Sequence, residues 1–142
     1  MSDAAKGYAF FDHTADIGIR AQGATLAELF VRLAHGLTEL LAEDTELKPR
    51  QAKTIQLTAA DAASLLLAWL QEMLFWFSTE RFLPVEYVLD DVTETALRGT
   101  VRGDTFDPAR HAQGREVKAI TRHFLEVRRE GGVLHGQVIV DI

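Results

Sequence analysis

Three residue types that bind metals or transfer protons lie close together near the start of the chain. Asp12, His13, Thr14 and Asp16 fall within a segment of five residues. Two carboxylates and an imidazole at this spacing suit a metal site, and oxygen ligands of this kind favour Mg²⁺, Ca²⁺ or Mn²⁺ over Zn²⁺. The same residue types also form turns in which Asp and Thr side chains accept hydrogen bonds from backbone N–H groups. The spacing alone leaves a metal site and a structural turn both open.

A further carboxylate stands at the other end of the sequence. Asp141 follows the apolar residues 138–140. A strand with so little polar alternation is typical of the centre of a sheet, where both faces are buried. A carboxylate at the end of such a strand needs a cation, a metal or several N–H donors to offset the cost of burial. The alternative is a frayed, solvated terminus. The carboxyl group of Ile142 adds one more anionic group.

Lys118 is a third candidate, because it leads into a β-branched segment that predicts a strand. A lysine in this place suits contact with a phosphate or a carboxylate. The alternative is a solvated charge at a strand edge, which opposes aggregation. Simple alternation along a strand predicts one shared face for Lys118, Arg122 and Arg128.

Composition limits the fold that must position these residues. The chain has 142 residues, of which 47% are hydrophobic and 25% charged, and it contains no cysteine. This length predicts one domain over residues 1–142, large enough to hold a core without disulfides. The net charge of −6 argues against sequence-independent binding to a long phosphate backbone. The absence of thiols fits a reducing compartment.

Hydrophobic periodicity predicts two helices. The first covers residues 26–42 behind Thr25, a predicted N-cap with Glu28 at the third position after it. The second covers residues 62–78 behind a second predicted N-cap, Asp61. This second helix is apolar on most faces, which is typical of a helix that is buried or that meets a partner.

Short apolar or alternating segments around the helices predict strands. The order of elements indicates an α+β fold, a single domain in which two helices pack on a mostly antiparallel or mixed sheet. The predicted strands cover residues 8–11, 17–21, 53–58, 82–89, 96–102, 117–129 and 133–140.

In order and spacing, these motifs resemble the archease family, over nearly the whole chain. The resemblance implies a small α+β protein with a strand–helix–strand–strand module. The segments that carry it are FDHTADIGI (11–19), Thr25-Leu26, LLLAWLQEML (65–74), Gly103-Asp104 with Asp107 and His111, VKAIT (117–121), and Asp141-Ile142.

The resemblance implies an accessory role without catalysis by the chain itself. Archeases support the RtcB-type RNA ligase, which joins an RNA end bearing a 3′-phosphate or 2′,3′-cyclic phosphate to a 5′-hydroxyl in tRNA splicing and RNA repair. They promote GTP-dependent guanylylation of the active-site histidine of the ligase and so allow multiple turnover. The implied partner is such a ligase in the cytoplasm, with RNA contacted only through it and no membrane involved. A monomer and a homo-oligomer both remain open.

The resemblance also implies a set of functional residues. It assigns a divalent metal to Asp16, Asp141 and the carboxyl group of Ile142, with Asp12 as a further ligand, and leaves Ca²⁺, Mg²⁺ and Mn²⁺ open. The residues implied to face the ligase or to orient the site are Lys118, His13 and Thr14.

Two other functions remain open. A chaperone-like or adaptor module for an RNA-modifying enzyme, such as a tRNA methyltransferase, would use the helix surface around Trp69 and Trp76 and would tolerate loss of Asp141. A stand-alone metal-dependent hydrolase would use Asp12, Asp16 and Asp141. The chain lacks the common nucleotide-binding and hydrolase signatures, which weighs against the hydrolase.

Overall fold

The computed structural model describes residues 6–13, 16–43 and 46–142, with the side chain of His13 excepted. Within these residues the chain forms two helices and nine strands. Their bounds are β1 Tyr8–His13, β2 Asp16–Gly23, α1 Leu26–Leu41, β3 Ala42–Glu43, β4 Gln51–Thr58, α2 Ala62–Glu80, β5 Phe82–Val92, β6 Ala96–Thr105, β7 Ala112–Gln113, β8 Ala119–Glu130 and β9 Val133–Asp141.

Both helices begin behind the capping residues that the sequence predicts. The Thr25 hydroxyl accepts a hydrogen bond from the Glu28 N–H at 3.1 Å, and the Glu28 carboxylate accepts one from the Ala24 N–H at 2.9 Å. The Asp61 carboxylate accepts a hydrogen bond from the Ser64 N–H at 2.8 Å. Each cap satisfies backbone donors that the first turn of a helix leaves without partners.

All strand pairs among the described residues are antiparallel. One sheet has four strands in the order β1-β2-β9-β8, a second has three in the order β4-β6-β5, and β3 pairs with β7. The predicted α+β class, with two helices and mostly antiparallel strands, is confirmed. The strands nevertheless divide among separate sheets, where the sequence predicts one. As its apolar run indicates, β9 is a central strand.

The division arises because the two helices lie between the larger sheets. α1 packs against β2 on one side and β5 on the other, and α2 packs against β8 and β5. A helix enclosed on two sides needs apolar residues on most of its surface, which explains the composition of α2. The Trp69 indole N–H donates to the Phe30 carbonyl oxygen at 2.9 Å and joins α2 to α1.

This packing corrects one expectation about a docking surface. Trp69 is 0% exposed and Trp76 is 6% exposed, so the helix surface around them lies in the core. The large apolar side chain that α2 does expose is Phe75, at 58%.

The register of the four-stranded sheet determines which of its side chains face the helices. A Cβ atom added at Gly136 would lie 3.0–3.2 Å from side-chain atoms of Leu29 and Leu33 in α1. Because side chains alternate along a strand, every second residue of β9 points the other way. We call that opposite side the outer face. The β9 residues on it are Val133, His135, Gln137, Ile139 and Asp141.

Candidate functional site

Two aspartates from opposite ends of the sequence lie side by side in the four-stranded sheet. Asp16, at the start of β2, is directly opposite Asp141, at the end of β9. Directly opposite residues of an antiparallel pair project to the same face, with Cβ atoms about 5 Å apart. His13 of β1 is opposite Asp16, and Ala119 of β8 is opposite Asp141, so four strands meet in one row.

Buried apolar neighbours hold this register in place. Ile17 lies opposite Val140, and Ile19 lies opposite Val138. Ile19, Val138 and Val140 are all 0% exposed. A slip of one residue would turn these side chains outward and bring Asp16 toward the core, at a large cost in free energy. The core therefore positions the carboxylate pair.

Asp12 does not join this pair. It lies opposite Ile17 in β1–β2 pairing, one position away from the row that contains Asp16. Ile17 is on the side of the sheet that faces the helices, so the alternation puts Asp12 on that side as well. The structure separates Asp12 from Asp16 and Asp141 by the thickness of the sheet.

Lys118 lies immediately before β8, next to the row. Its backbone N–H donates a hydrogen bond to the Asp141 carbonyl oxygen at 2.8 Å, and its side chain is exposed. This bond fixes the end of β9 against the approach to β8. The backbone of Lys118 therefore lies beside that of Asp141.

One sequence prediction is wrong here, the shared face of Lys118, Arg122 and Arg128. The pairing of β8 with β9 shifts between Thr121 and Glu126. Within the shifted segment Phe124 has a left-handed backbone, with φ of 51°. Thr121 and Glu126 are opposite Ile139 and Gln137, which are both on the outer face, although Thr121 and Glu126 are five positions apart and regular alternation would put them on different faces. The irregularity inverts the alternation that the prediction assumes.

The remaining predicted site residues are only partly described. Thr14 lies outside the described residues, as does the side chain of His13. Among the side chains that the structure describes, no three from His, Cys, Asp and Glu are placed to hold one metal ion. Asp16 and Asp141 supply two such side chains. The third ligand implied by the family resemblance is the carboxyl group of Ile142, whose half-buried side chain packs against the core.

The charges at this row favour a cation. Asp141 is half-buried, and no group in the described part of the chain donates a hydrogen bond to its carboxylate. Like charges directly opposite each other in a sheet are destabilising. Carboxylate oxygens are the ligands that Mg²⁺, Ca²⁺ and Mn²⁺ take in proteins. Asp16 and Asp141 therefore offer oxygen donors of the type that hard divalent cations bind.

Asp104 of the Gly103-Asp104 motif has a structural role. Asp104 is 1% exposed, and its carboxylate accepts hydrogen bonds from the Lys48 N–H, the Thr105 N–H and the Arg50 guanidinium. Burial alone would raise the pKa of Asp104, but these donors and the charge of Arg50 hold it below its usual range. Asp104 anchors the segment before β4 to the end of β6.

A second group of polar residues lies on the outer face, and the sequence predictions above do not include it. Arg20 is four residues from Asp16 along β2 and shares its face. Its neighbours Gln137 and His135 come from β9. The alternation in residues 16–22 is the signal that would have placed Arg20 on the same face as Asp16.

Two helices between antiparallel sheets, with paired carboxylates at the end of one sheet, define a small α+β protein with a candidate cation site. The chain matches the profile of the family described as "Archease protein family (MTH1598/TM1083)" over residues 8–142. The chain therefore belongs to the archease family.

Archeases of known sequence and a protein of known structure are similar to this chain over most of its length. Protein archease of Methanothermobacter thermautotrophicus is 34% identical over 140 residues, which are 96% of this chain and 99% of that protein. Protein archease of Pyrobaculum islandicum is 36% identical over 141 residues, which are 95% of each chain. The solution structure of Methanobacterium thermoautotrophicum protein 1598 has a TM-score of 0.81 at 34% identity and covers 96% of this chain and 99% of its own.

The crystal structure of an archease from Thermotoga maritima, described as a possible chaperone, has a TM-score of 0.63 and covers 93% of this chain and 94% of its own. At 24% identity this likeness supports the fold alone. Within the described ranges, no helix combines the length and the apolar character that crossing a bilayer requires.

Proposed function

We propose that this chain is a non-catalytic accessory factor of an RtcB-type RNA ligase. In this role it promotes GTP-dependent guanylylation of the active-site histidine of the ligase and multiple turnover in tRNA splicing or RNA repair. Membership of the archease family supports the proposal. The observation that carries it is the placement of Asp16 directly opposite Asp141.

The proposed metal ligands are Asp16, Asp141 and the carboxyl group of Ile142. A bound divalent cation would offset their negative charge and would polarise a phosphate oxygen of the nucleotide held by the ligase. The aspartates lie at the strand ends where β2 begins and β9 ends. A partner can therefore approach them from beyond these strand ends. Asp12 is left out of the proposed ligand set because the register puts it on the other side of the sheet.

Lys118 has a proposed supporting role beside these carboxylates. Its backbone N–H holds the Asp141 carbonyl, while its exposed ammonium group is free to move toward a phosphate or a carboxylate. A charge-assisted hydrogen bond from this group to a phosphate of the partner's nucleotide would align the two proteins.

Charge complementarity supports the choice of partner. The chain has a net charge of −6, whereas an enzyme that binds RNA needs a basic surface. Opposite net charges raise the rate of encounter and suppress self-association of each protein.

The test is reconstitution with an RtcB-type ligase from the same organism. The amounts of guanylylated ligase and of RNA joined per ligase are measured with no added protein, with wild type and with Asp141→Ala. We expect wild type to raise both quantities, and Asp141→Ala to raise neither while keeping its circular dichroism spectrum. Lys118→Ala should retain part of the stimulation.

A matched control is Asp91→Ala, which removes an exposed strand aspartate from the other sheet. This variant should stimulate the ligase as wild type does. Equal stimulation by Asp141→Ala and Asp91→Ala would move the function away from the carboxylate pair. No stimulation by wild type would remove the ligase from the proposal.

A second candidate function is that of an adaptor for an RNA-modifying enzyme such as a tRNA methyltransferase. The observation in its favour is the exposure of Phe75 on α2, at 58%. An adaptor of this kind would lose binding on Phe75→Ser and keep it on Asp141→Ala. The ligase-factor proposal predicts the reverse.

A further inference from the structure

The outer face carries a second feature at the end remote from Asp16 and Asp141. A cavity of about 570 Å³ opens there, between β8, β9, β2 and the start of β1. This volume lies within the range of about 300–1,000 Å³ that is usual for small-molecule sites. The polar and charged side chains used below are Arg20, Gln22, Arg32, Arg128, His135 and Gln137, all of which line the cavity.

Positive charge dominates the lining. Among the described residues that line the cavity, three are arginines and one, Glu126, is acidic. Arg32 and Arg128 are paired with glutamates, so Arg20 is the lining guanidinium that no described carboxylate offsets.

Arg20 is held in place without using its hydrogen-bond donors. Its guanidinium carbon lies 4.1 Å from the centre of the Phe11 ring, a cation–π contact. The Phe11 ring lies over Gly18, where an added Cβ atom would come within 2.1 Å of it. Among the described residues, Arg20 forms no ion pair with a carboxylate. The guanidinium is oriented by stacking, and its N–H groups remain for a ligand.

Arg32 reaches the cavity from α1 next to the part of β2 that extends past the start of β1. The first residue of β1, Tyr8, pairs with Ala21, so Gln22 has no partner in β1. The Arg32 guanidinium donates to the Gln22 carbonyl oxygen at 2.6 Å and lies 3.4 Å from the Glu28 carboxylate. These contacts fix a second guanidinium at the rim of the cavity.

Arg128 lines the cavity from β8, the edge strand opposite β1. It pairs with Glu126 at 3.1 Å and with Glu130, and its side chain is 45% exposed. Its partner across the sheet is His135. Guanidinium groups from two different strands and a helix therefore converge on one opening.

We propose that this cavity binds the phosphate group of a phosphorylated ligand of about nucleotide size. Planar guanidinium groups bind phosphate oxygens in pairs, and a phosphate offers three oxygens and up to two charges to several arginines at once. A carboxylate, with two oxygens and one charge, would satisfy fewer of them. The phosphate belongs either to a free nucleotide or to the backbone of an RNA strand.

The proposal does not depend on the ligase or on a metal. Arg20 and Asp16 are four residues apart on one strand, which is about 13 Å at roughly 3.3 Å per residue. The cavity and the carboxylate pair are therefore separate sites on one face. Loss of one leaves the other available, so each can be tested alone.

The test is calorimetric titration of the full chain at low salt, in HEPES buffer freed of divalent cations with a chelating resin. The probes are pyrophosphate, adenosine 5′-monophosphate and an oligouridylate without a terminal phosphate. The variants are Arg20→Gln, Arg128→Gln and Asp141→Asn. The control is Arg102→Gln, which removes an exposed strand arginine from the other sheet and changes the net charge equally.

We expect at least one phosphate probe to bind wild type, with affinity reduced about tenfold by Arg20→Gln and by Arg128→Gln, because each removes a charge-assisted contact. Arg102→Gln and Asp141→Asn should change it less than about twofold, since distant exposed charges are screened. Binding of the mononucleotide alone identifies a free nucleotide, and binding of the oligouridylate identifies an RNA backbone.

Three results would overturn the proposal. The first is no binding of any probe at millimolar concentration. The second is an equal loss in Arg102→Gln, which would indicate attraction to net charge only. The third is loss of binding in Asp141→Asn, which would assign the probe to the carboxylate pair. Because Arg20→Gln and Arg128→Gln lie on different strands, misfolding of one variant leaves the other as the test.

Discussion

The outer faces of the two larger sheets arrange their charges in opposite ways. On the three-stranded sheet, Arg98 is opposite Asp91 and pairs with it at 2.9 Å, and Arg102 is opposite Glu86. On the four-stranded sheet, Asp16 is opposite Asp141. The arginines of that sheet gather at the other end of the same face.

This difference separates charges that serve the fold from charges that do not. Opposite charges across a strand pair stabilise a sheet, and like charges destabilise it. The three-stranded sheet follows the stabilising rule. The four-stranded sheet breaks it where Asp16 is opposite Asp141. At the other end of that face, Arg20 and Arg128 are opposite the uncharged or weakly basic residues Gln137 and His135. We infer that ligands, and not the fold, account for the segregated face.

The largest loss of stability that we expect is in the three-stranded sheet, where opposite charges are paired. Asp104→Ala removes the acceptor of the Lys48 and Thr105 N–H groups and leaves these donors without a protein partner. We expect a loss of about 2–3 kcal/mol in the free energy of unfolding at pH 7. Urea unfolding of wild type and variant measures it, with Asp91→Ala as an exposed control.

The pH dependence of that loss has a definite sign. The pKa of Asp104 is lowered in the folded state, so its contribution is fully present above the unfolded pKa of about 3.9 and is lost as pH falls through the folded value. The difference between wild type and Asp104→Ala should therefore shrink in strong acid. A difference that stays constant down to pH 2 would show that the charge of Asp104 is not what stabilises the fold.

A smaller effect is expected from Gly18→Ala on the segregated face. The new Cβ atom would come within 2.1 Å of the Phe11 ring, so the ring must move away from the sheet. We expect about 1–3 kcal/mol of destabilisation, since overpacking displaces side chains from their preferred positions. Thermal unfolding measures the change, and the double variant Gly18→Ala/Phe11→Leu should recover part of it. Full additivity of the two substitutions would mean that the ring does not rest on Gly18.

The parts of the fold that depend on neighbours along the chain are predictable from the sequence. Both helices and their caps at Thr25 and Asp61 are present, because periodicity and capping are local properties. The apolar run before Asp141 correctly indicated a central strand. The family resemblance brought Asp16 and Asp141 into one hypothesis, and nothing in their own spacing did so.

The rest depends on contacts that local patterns do not contain. The pairing of β2 with β9 is set by Ile19 and Val138 meeting in the core, across most of the chain length. The division into two sheets follows from helices that are enclosed on both sides. The irregularity before Glu126 inverts the alternation of β8, and a strand pattern read as regular could not include it. Asp12 and Asp16 likewise look equivalent in sequence until the register puts them on opposite sides.

The smallest effects make the sharpest test, because the two faces should respond with opposite signs. In a metal-free buffer, Asp141→Asn removes one of two opposed carboxylates and should raise the free energy of unfolding by about 0.2–1 kcal/mol. Asp91→Asn removes the partner of Arg98 and should lower it by about the same amount, the usual range for an exposed ion pair. Each substitution replaces an aspartate by its isosteric amide, so the change in side-chain volume is minimal.

Urea unfolding of wild type, Asp141→Asn and Asp91→Asn at one pH and ionic strength measures both changes in the free energy of unfolding. Adding a divalent cation should stabilise wild type and Asp91→Asn but not Asp141→Asn. A loss of stability in metal-free Asp141→Asn would mean that the carboxylate pair serves the fold after all, and the contrast between the two faces would then have no functional content.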